Sequence, residues 1–247
     1  MKNKINLNLK ENLKNLKLSF ILDNYEEIIK QIINKKLSYL DFLNELIEGE
    51  VLEKKKNKIE RKIKLAKFPY IKNFKEFDWN YPHSIDKEKI LFLSHLNFID
   101  KKENIIFLSS VGLGKTHLSI ALGYKACLKN YSVLYTTIND ILNELCNAKK
   151  INNYDYIKKK YLKPQLLIID DFGHISTNKD GLNVLFDIIS KRYETGSIIL
   201  NSNREFKEWI TLFNNDSYIT SAIIDRLIHH SETIVIQGNS YRTKSLI

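Results

Sequence analysis

The run Ser109-Ser110-Val111-Gly112-Leu113-Gly114-Lys115-Thr116 concentrates two glycines, an ammonium and a hydroxyl in one short stretch. It follows the apolar run Ile105-Ile106-Phe107-Leu108 and opens a helical pattern. That context predicts a phosphate-binding P-loop, in which backbone N–H groups and a helix N-terminus cradle a polyphosphate. The cradle is expected at Gly112, Leu113, Gly114, Lys115, Thr116 and His117, with Lys115 on the β/γ-phosphates and Thr116 on Mg2+. Ser109 stands where the G-x-x-x-x-G-K-[ST] pattern has its first glycine. Glycine there serves the turn, so a poorer loop is expected, not a lost one.

A second run, Leu166-Leu167-Ile168-Ile169-Asp170-Asp171, reads as a buried parallel strand ending in two carboxylates. The carboxyl ends of such strands are where open α/β sheets bind ligands. Asp170 is expected to hold Mg2+ through water, and Asp171 to polarise the attacking water. Together the two runs point to nucleotide hydrolysis. A third apolar run, Ser197 to Leu200, ends in Asn201-Ser202-Asn203-Arg204. Asn203 could orient water against the γ-phosphate, although taken alone a strand-ending turn accounts better for the pattern. In Ala222-Ile223-Ile224-Asp225-Arg226-Leu227, Arg226 is either a charge-sensing arginine supplied to a neighbouring subunit or half of a surface pair with Asp225.

The elements that must carry these residues alternate between strand and helix from about residue 86. This predicts an α/β fold, a mostly parallel sheet with helices on both faces. Helices are expected near 86–100, 115–128, 139–146, 153–161, 180–194 and 220–229. Strands are expected near 104–108, 132–136, 165–169, 197–201 and 233–236. Residues 1–67 read as a small all-helical domain. Its first helix carries Leu7, Leu9, Leu13, Leu16 and Phe20, its second spans about 24–34, and its third begins at a capping-box-like Ser38-x-x-Asp41. Phe68-Pro69 ends the third helix. Residues 68–85 form an aromatic linker, expected to pack on the core or to wall the base of a nucleotide.

The chain has 247 residues, 39 basic against 29 acidic, for a net charge of +10, with 43% apolar and 28% charged residues. This is globular composition with a bias toward polyanion partners. Lys54, Lys55, Lys56, Lys58, Arg61, Lys62, Lys64 and Lys67 oppose Glu60 alone, and form either a phosphate-contacting helix or a solvated face. The longest uncharged run, Asn104 to Gly114, is far short of the ~20 residues of a membrane helix. No membrane partner is expected. Met1-Lys2-Asn3-Lys4 leads into a charged pattern, and Cys127 and Cys146 have no metal-type spacing, so a reducing cytoplasm is expected. His229-His230 reads as structural, because adjacent helical side chains do not face each other.

The strings SVGLGKTHLSIALGYKAC, LLIIDDFG, NSNREFKEW, IIDRLIHH and GNSYR together resemble the IstB-like transposition helper ATPases. These are AAA+ proteins of the DnaA/DnaC initiator clade. The resemblance spans about residues 7 to 244. It implies an AAA+ core over 86–247, with ATP and Mg2+ as ligands. Lys115 and Thr116 fall in Walker A, and Asp170 at the Walker B metal ligand. Asp171 takes the place of the catalytic glutamate. Asn203 falls at sensor 1, Arg226 at the trans-acting arginine finger, and Arg242 near a sensor-2-like position. It further implies a homo-oligomer that assembles on duplex DNA, bends it and stimulates a partner transposase. The stretch between the second and third core strands, with Lys149, Lys150, Lys158, Lys159 and Lys160 beside Tyr154, Tyr156 and Tyr161, is then expected to face DNA, with Lys54, Lys55, Lys56, Lys58, Arg61 and Lys62 adding phosphate contacts. A DnaC-type helicase loader and an ATP-assembled DNA scaffold with little hydrolysis remain alternatives.

Overall fold

The computed structural model describes residues 2–81, 84–173, 179–213 and 215–241, with side chains from residue 7. They divide into two compact units, one ending at Arg61 and one beginning at Lys62.

The first unit holds α1 (Lys2–Asn15), α2 (Ser19–Lys35) and most of α3 (Tyr39–Ala66). On α2 the apolar spacing buries Ile21, Tyr25, Ile28 and Ile32, which pack with Leu13 and Leu46. The expected stripe from Leu7 to Phe20 is interrupted. The chain turns at Lys17, whose φ is 55°, and α2 begins there instead of near residue 24. Leu7 and Leu16 are exposed as a result. The capping box holds: Ser38 N–H donates to Asp41 Oδ2 (2.9 Å) and Asp41 N–H to Ser38 Oγ (3.2 Å). The Ser38 hydroxyl, which donates to Asp41 Oδ2 (2.6 Å), and then the Ser38 N–H lower the pKa of the Asp41 carboxyl.

The second unit begins inside α3, holding the last five residues of that helix, and takes in the aromatic segment. Phe77 is buried there, with Phe68, Phe74 and Trp79 packed against the same core. The aromatic segment thus packs on the α/β core as expected, and the compact units divide inside α3, ahead of the expected boundary at residue 67. The expected helix at 86–100 is two, α4 (Lys87–Leu93) and α5 (Asn97–Asp100), because buried Leu96 adopts a left-handed φ of 72°.

From there the order is β1 (Asn104–Ser109), α6 (Lys115–Leu128), β2 (Val133–Thr137), α7 (Ile138–Lys150), α8 (Tyr154–Leu162), β3 (Leu166–Asp170), α9 (Lys179–Arg192), β4 (Ser197–Ser202), α10 (Trp209–Leu212), α11 (Ser217–Ile228) and β5 (Ser231–Ile236). All pairings are parallel, in the order β2-β3-β4-β1-β5. Strand alternation splits the core in two. Ile106, Leu108, Leu167, Ile169, Ile198 and Leu200 face α7, α8, α9 and α11. Ile105, Phe107, Leu166, Ile168 and Ile199 face α4, α6 and the aromatic segment. His229 and His230 do touch: their rings meet edge-on at 4.3 Å, because α11 ends at Ile228 and the backbone turns between them.

At the amino ends of the strands, Arg192 is 1% exposed and bonded to main-chain carbonyls. Its guanidinium donates to Tyr161 (2.8 Å), Pro164 (2.9 Å) and Ser197 (2.8 Å), joining the end of α8 to the starts of β3 and β4. Burial pushes its pKa down to about 10. Arg192→Met strips several buried carbonyls of their donor and is expected to cost about 3 kcal/mol in urea unfolding. A loss below about 1 kcal/mol would show that water replaces the guanidinium.

Candidate nucleotide site

Because β4 lies between β1 and β3, the carboxyl ends of three strands bring together the loop before α6, Asn201–Asn203 and Asp170–Asp171. They line a cleft of about 600 Å3 with Tyr70, Lys72, Phe77, Tyr81 and Tyr241. That volume suits a nucleotide-sized ligand.

The loop is built as its residue types require. Gly112 and Gly114 have φ of +84° and +93°, a region that L side chains adopt at a cost. A Cβ on Gly114 would also lie 2.6 Å from the Phe77 ring. Leu113 turns its side chain into the core, leaving only backbone to the cleft. Lys115 Nζ donates to the carbonyls of Ser109 (2.7 Å) and Ser110 (2.9 Å) and to Ser109 Oγ (2.9 Å). The serine that replaces the first glycine thus supplies an acceptor for the P-loop lysine. The His117 ring bonds the Asn73 carbonyl (2.9 Å) and meets Phe77 edge-on, so its side chain braces α6 against the aromatic segment.

Asp170, 4% exposed, is the hub. Its Oδ2 accepts from Thr116 Oγ1 (2.8 Å) and Tyr135 OH (2.7 Å), and its Oδ1 from Asn201 Nδ2 (3.0 Å) and Asp171 N–H (2.9 Å). Asn201 in turn accepts from Ser119 Oγ (2.6 Å), which fastens α6 to β4. Burial, then the neighbouring carboxylate, raises the pKa of Tyr135 and keeps it a donor. Thr116 and Asp170 together offer the hard oxygen donors that suit Mg2+. Asp171 is exposed on the cleft with a left-handed φ of 57°, a strained conformation for a residue with a side chain.

Sequence reasoning missed Tyr135, Ser119 and Asn201. The alternation of strand faces points to two of them. Residues 166, 168 and 170 share one face of β3. Tyr135 on β2 and Asn201 on β4 lie on that same face, toward α6. Asn203, the residue expected at this strand end, lies one step beyond β4 and lines the cleft over Gly173.

The residues that follow β5 complete the wall. Tyr241 N–H donates to the Gly112 carbonyl (3.0 Å), and the Tyr81 and Tyr241 rings meet at 5.4 Å. Arg242 lies outside the described residues. Arg226 does not line the cleft. Its guanidinium lies 4.8 Å from the Phe186 ring centroid and donates to the Ala222 carbonyl (2.9 Å). Cys127 is no nucleophile, since burial pushes its thiol up to about 11.

The cationic stretches fare unequally. Lys54, Lys55, Lys56, Lys58 and Arg61 are exposed on α3, Lys54 lying 3.6 Å from Glu50. Lys62 donates to the Asn130 carbonyl. Lys158 is buried and paired with Asp155 (3.0 Å) and Asp187 (3.2 Å), and Lys160 pairs with Glu144. The expectation that all of Lys158–Lys160 face a polyanion is therefore corrected. In a helix packed on α7 and α9, only Lys159 of the three points to solvent. Lys149 and Lys150, at the end of α7, are exposed and remain candidates with it.

A Cβ on Gly173 would fall 1.5 Å from Asn203 Oδ1. Gly173→Ala is therefore expected to displace the Asn203 amide, lowering kcat roughly tenfold or more while leaving nucleotide affinity within about twofold. Equal loss in both would place Asn203 in ground-state binding.

The IstB-like ATP binding protein family matches residues 11–246. The insertion sequence IS5376 ATP-binding protein of Geobacillus stearothermophilus is 37% identical over 93% of this chain and 91% of its own length. The IS21 counterpart of Pseudomonas aeruginosa is 34% identical over 94% and 87%. Among solved structures, DnaI aligns with a TM-score of 0.59 at 17% identity, over 70% of this chain and 93% of that one. AMPPCP-bound DnaA from Aquifex aeolicus aligns at 0.58 and 22%, over 73% and 54%. These two likenesses establish the shared fold, a parallel sheet flanked by helices. With a family match over nearly all its residues and whole-length relatives above 30% identity, this chain belongs to the IstB-like ATP-binding proteins.

Proposed function

We propose that the chain is an Mg2+-dependent ATP hydrolase that assembles on duplex DNA and assists a partner transposase encoded by an insertion sequence. One observation carries the reading: the Thr116–Asp170 hydrogen bond at 2.8 Å joins the P-loop helix to the end of β3 at the floor of the cleft. Thr116 would ligate Mg2+ and Asp170 would hold the ion's water. Bound there, Mg2+ would neutralise the β- and γ-phosphate oxygens. Lys115 would exchange the Ser109 and Ser110 carbonyls for phosphate oxygens, neutral acceptors for charged ones. Asp171 and Asn203 line the side of the cleft where a water would be oriented. Asp171 is one methylene shorter than a glutamate and must reach that water from a strained backbone. Slow turnover and a long-lived ATP state follow from this geometry.

Arg226 lies outside its own cleft on α11, as an arginine that completes a neighbour's site must. Whole-length similarity to insertion-sequence ATP-binding proteins supports the transposition role over a helicase loader. The polyanion surface is assigned to Lys149, Lys150 and Lys159 around the α7–α8 turn, with exposed Tyr156 at 73% available for stacking, and to the exposed cations of α3.

Mixing two inactive variants tests the shared site. Lys115→Ala and Arg226→Ala are each expected to lose hydrolysis. Their mixture should regain it, because a Lys115→Ala subunit still offers Arg226 to an intact P-loop. Absence of any regain would place Arg226 outside the chemistry. On DNA, replacing Lys149, Lys150 and Lys159 by Ala should flatten the salt dependence of duplex binding by about two to three in slope. Lys158→Ala should lower Tm instead. An unchanged slope would move the DNA surface elsewhere.

A further inference from the structure

We propose that Tyr135 is a positioning residue for the metal-holding carboxylate, orienting Asp170 through its hydroxyl. The inference rests on the assignment of Asp170 and Thr116 to Mg2+. Asp170 ends β3, and a carboxylate at a strand end can rotate about its last torsion, which is broad for Asp. Here the rotation is blocked from both sides by neighbouring strands. Tyr135 of β2 donates to Oδ2 at 2.7 Å, and Asn201 of β4 donates to Oδ1 at 3.0 Å.

The register explains why a tyrosine is needed. Tyr135 pairs with Ile168, two residues before Asp170, and shares the α6-facing side of the sheet. A side chain leaning along the strand must span that offset. Serine or threonine at this position is too short, and phenylalanine fills the space without a donor. The ring is fixed by Phe68, whose centroid lies 6.5 Å away. Thr116 shares Oδ2 with Tyr135. When Thr116 turns its oxygen to the ion, Tyr135 remains as the side-chain donor on that oxygen. Donors behind a metal ligand of this kind typically change metal affinity or activity 10–100-fold.

The test is Tyr135→Phe in the full chain, read by the Mg2+ dependence of binding of a fluorescent ATP analogue. The Mg2+ concentration for half-maximal tight binding is expected to rise about tenfold. Nucleotide binding in EDTA and Tm should stay near wild type. Phe68→Leu, which loosens the ring that carries the hydroxyl, is expected to raise the Mg2+ requirement by a smaller factor, and it stands in should Tyr135→Phe fold poorly. An unshifted Mg2+ requirement in Phe68→Leu when Tyr135→Phe does not fold overturns the proposal. An unshifted Mg2+ requirement in Tyr135→Phe overturns it equally. If wild-type binding is itself indifferent to Mg2+, the assignment of Thr116 and Asp170 fails first, and the role of Tyr135 falls with it.

Discussion

The Asp170 carboxylate is the point on which the second unit's site depends. A buried carboxylate is costly unless its oxygens are filled with donors. Here the donors come from α6 through Thr116, from β2 through Tyr135, from β4 through Asn201, and from the next main-chain N–H. Satisfying this one charge therefore fixes the helix after the P-loop, the order of three strands and the approach of Asp171. The same network that removes the desolvation penalty also builds a surface on which a hard cation and a polyphosphate can sit.

The sheet order makes that convergence possible. Asp170 and the P-loop lie on strands separated in space by β4, so the strand between them must end in small or polar residues. It does so at Asn201 and Ser202, both buried. The walls of the cleft come from segments remote in sequence. The aromatic stretch reaches it through Tyr81 and Phe77, and the chain after β5 through the Tyr241 N–H on the Gly112 carbonyl. Contacts from both segments thus reach the P-loop at its glycines, Phe77 at Gly114 and Tyr241 at Gly112.

Much of this was legible in the residues. The apolar runs before Ser109, Asp170 and Ser202 had the length and content of buried parallel strands, and α6 begins and ends where the glycines and the helical pattern place it. Lys115, Thr116, Asp170, Asp171 and Asn203 line one cleft as their motifs implied. The cationic insert was less legible. Lys158, Lys159 and Lys160 are chemically identical in the chain, and only the packing of α8 separates a buried ion-paired lysine from an exposed one. Arg192 shows the same limit: nothing in its sequence neighbours marks it as the arginine that bonds main-chain carbonyls inside the fold.

What the sequence determined by itself is therefore local: strand and helix identities, the phosphate loop, the carboxylate pair and the family likeness. Each is encoded in neighbouring residues through periodicity, glycine conformation or side-chain chemistry. Only the tertiary structure decided which donors close on Asp170, which aromatic rings of the 68–81 stretch are buried and which wall the cleft, where the compact units divide and which lysines stay in water. Those outcomes depend on residues distant in the chain meeting across strands and helices. The free energy of placing a charge is set by what surrounds it, not by its neighbours in sequence.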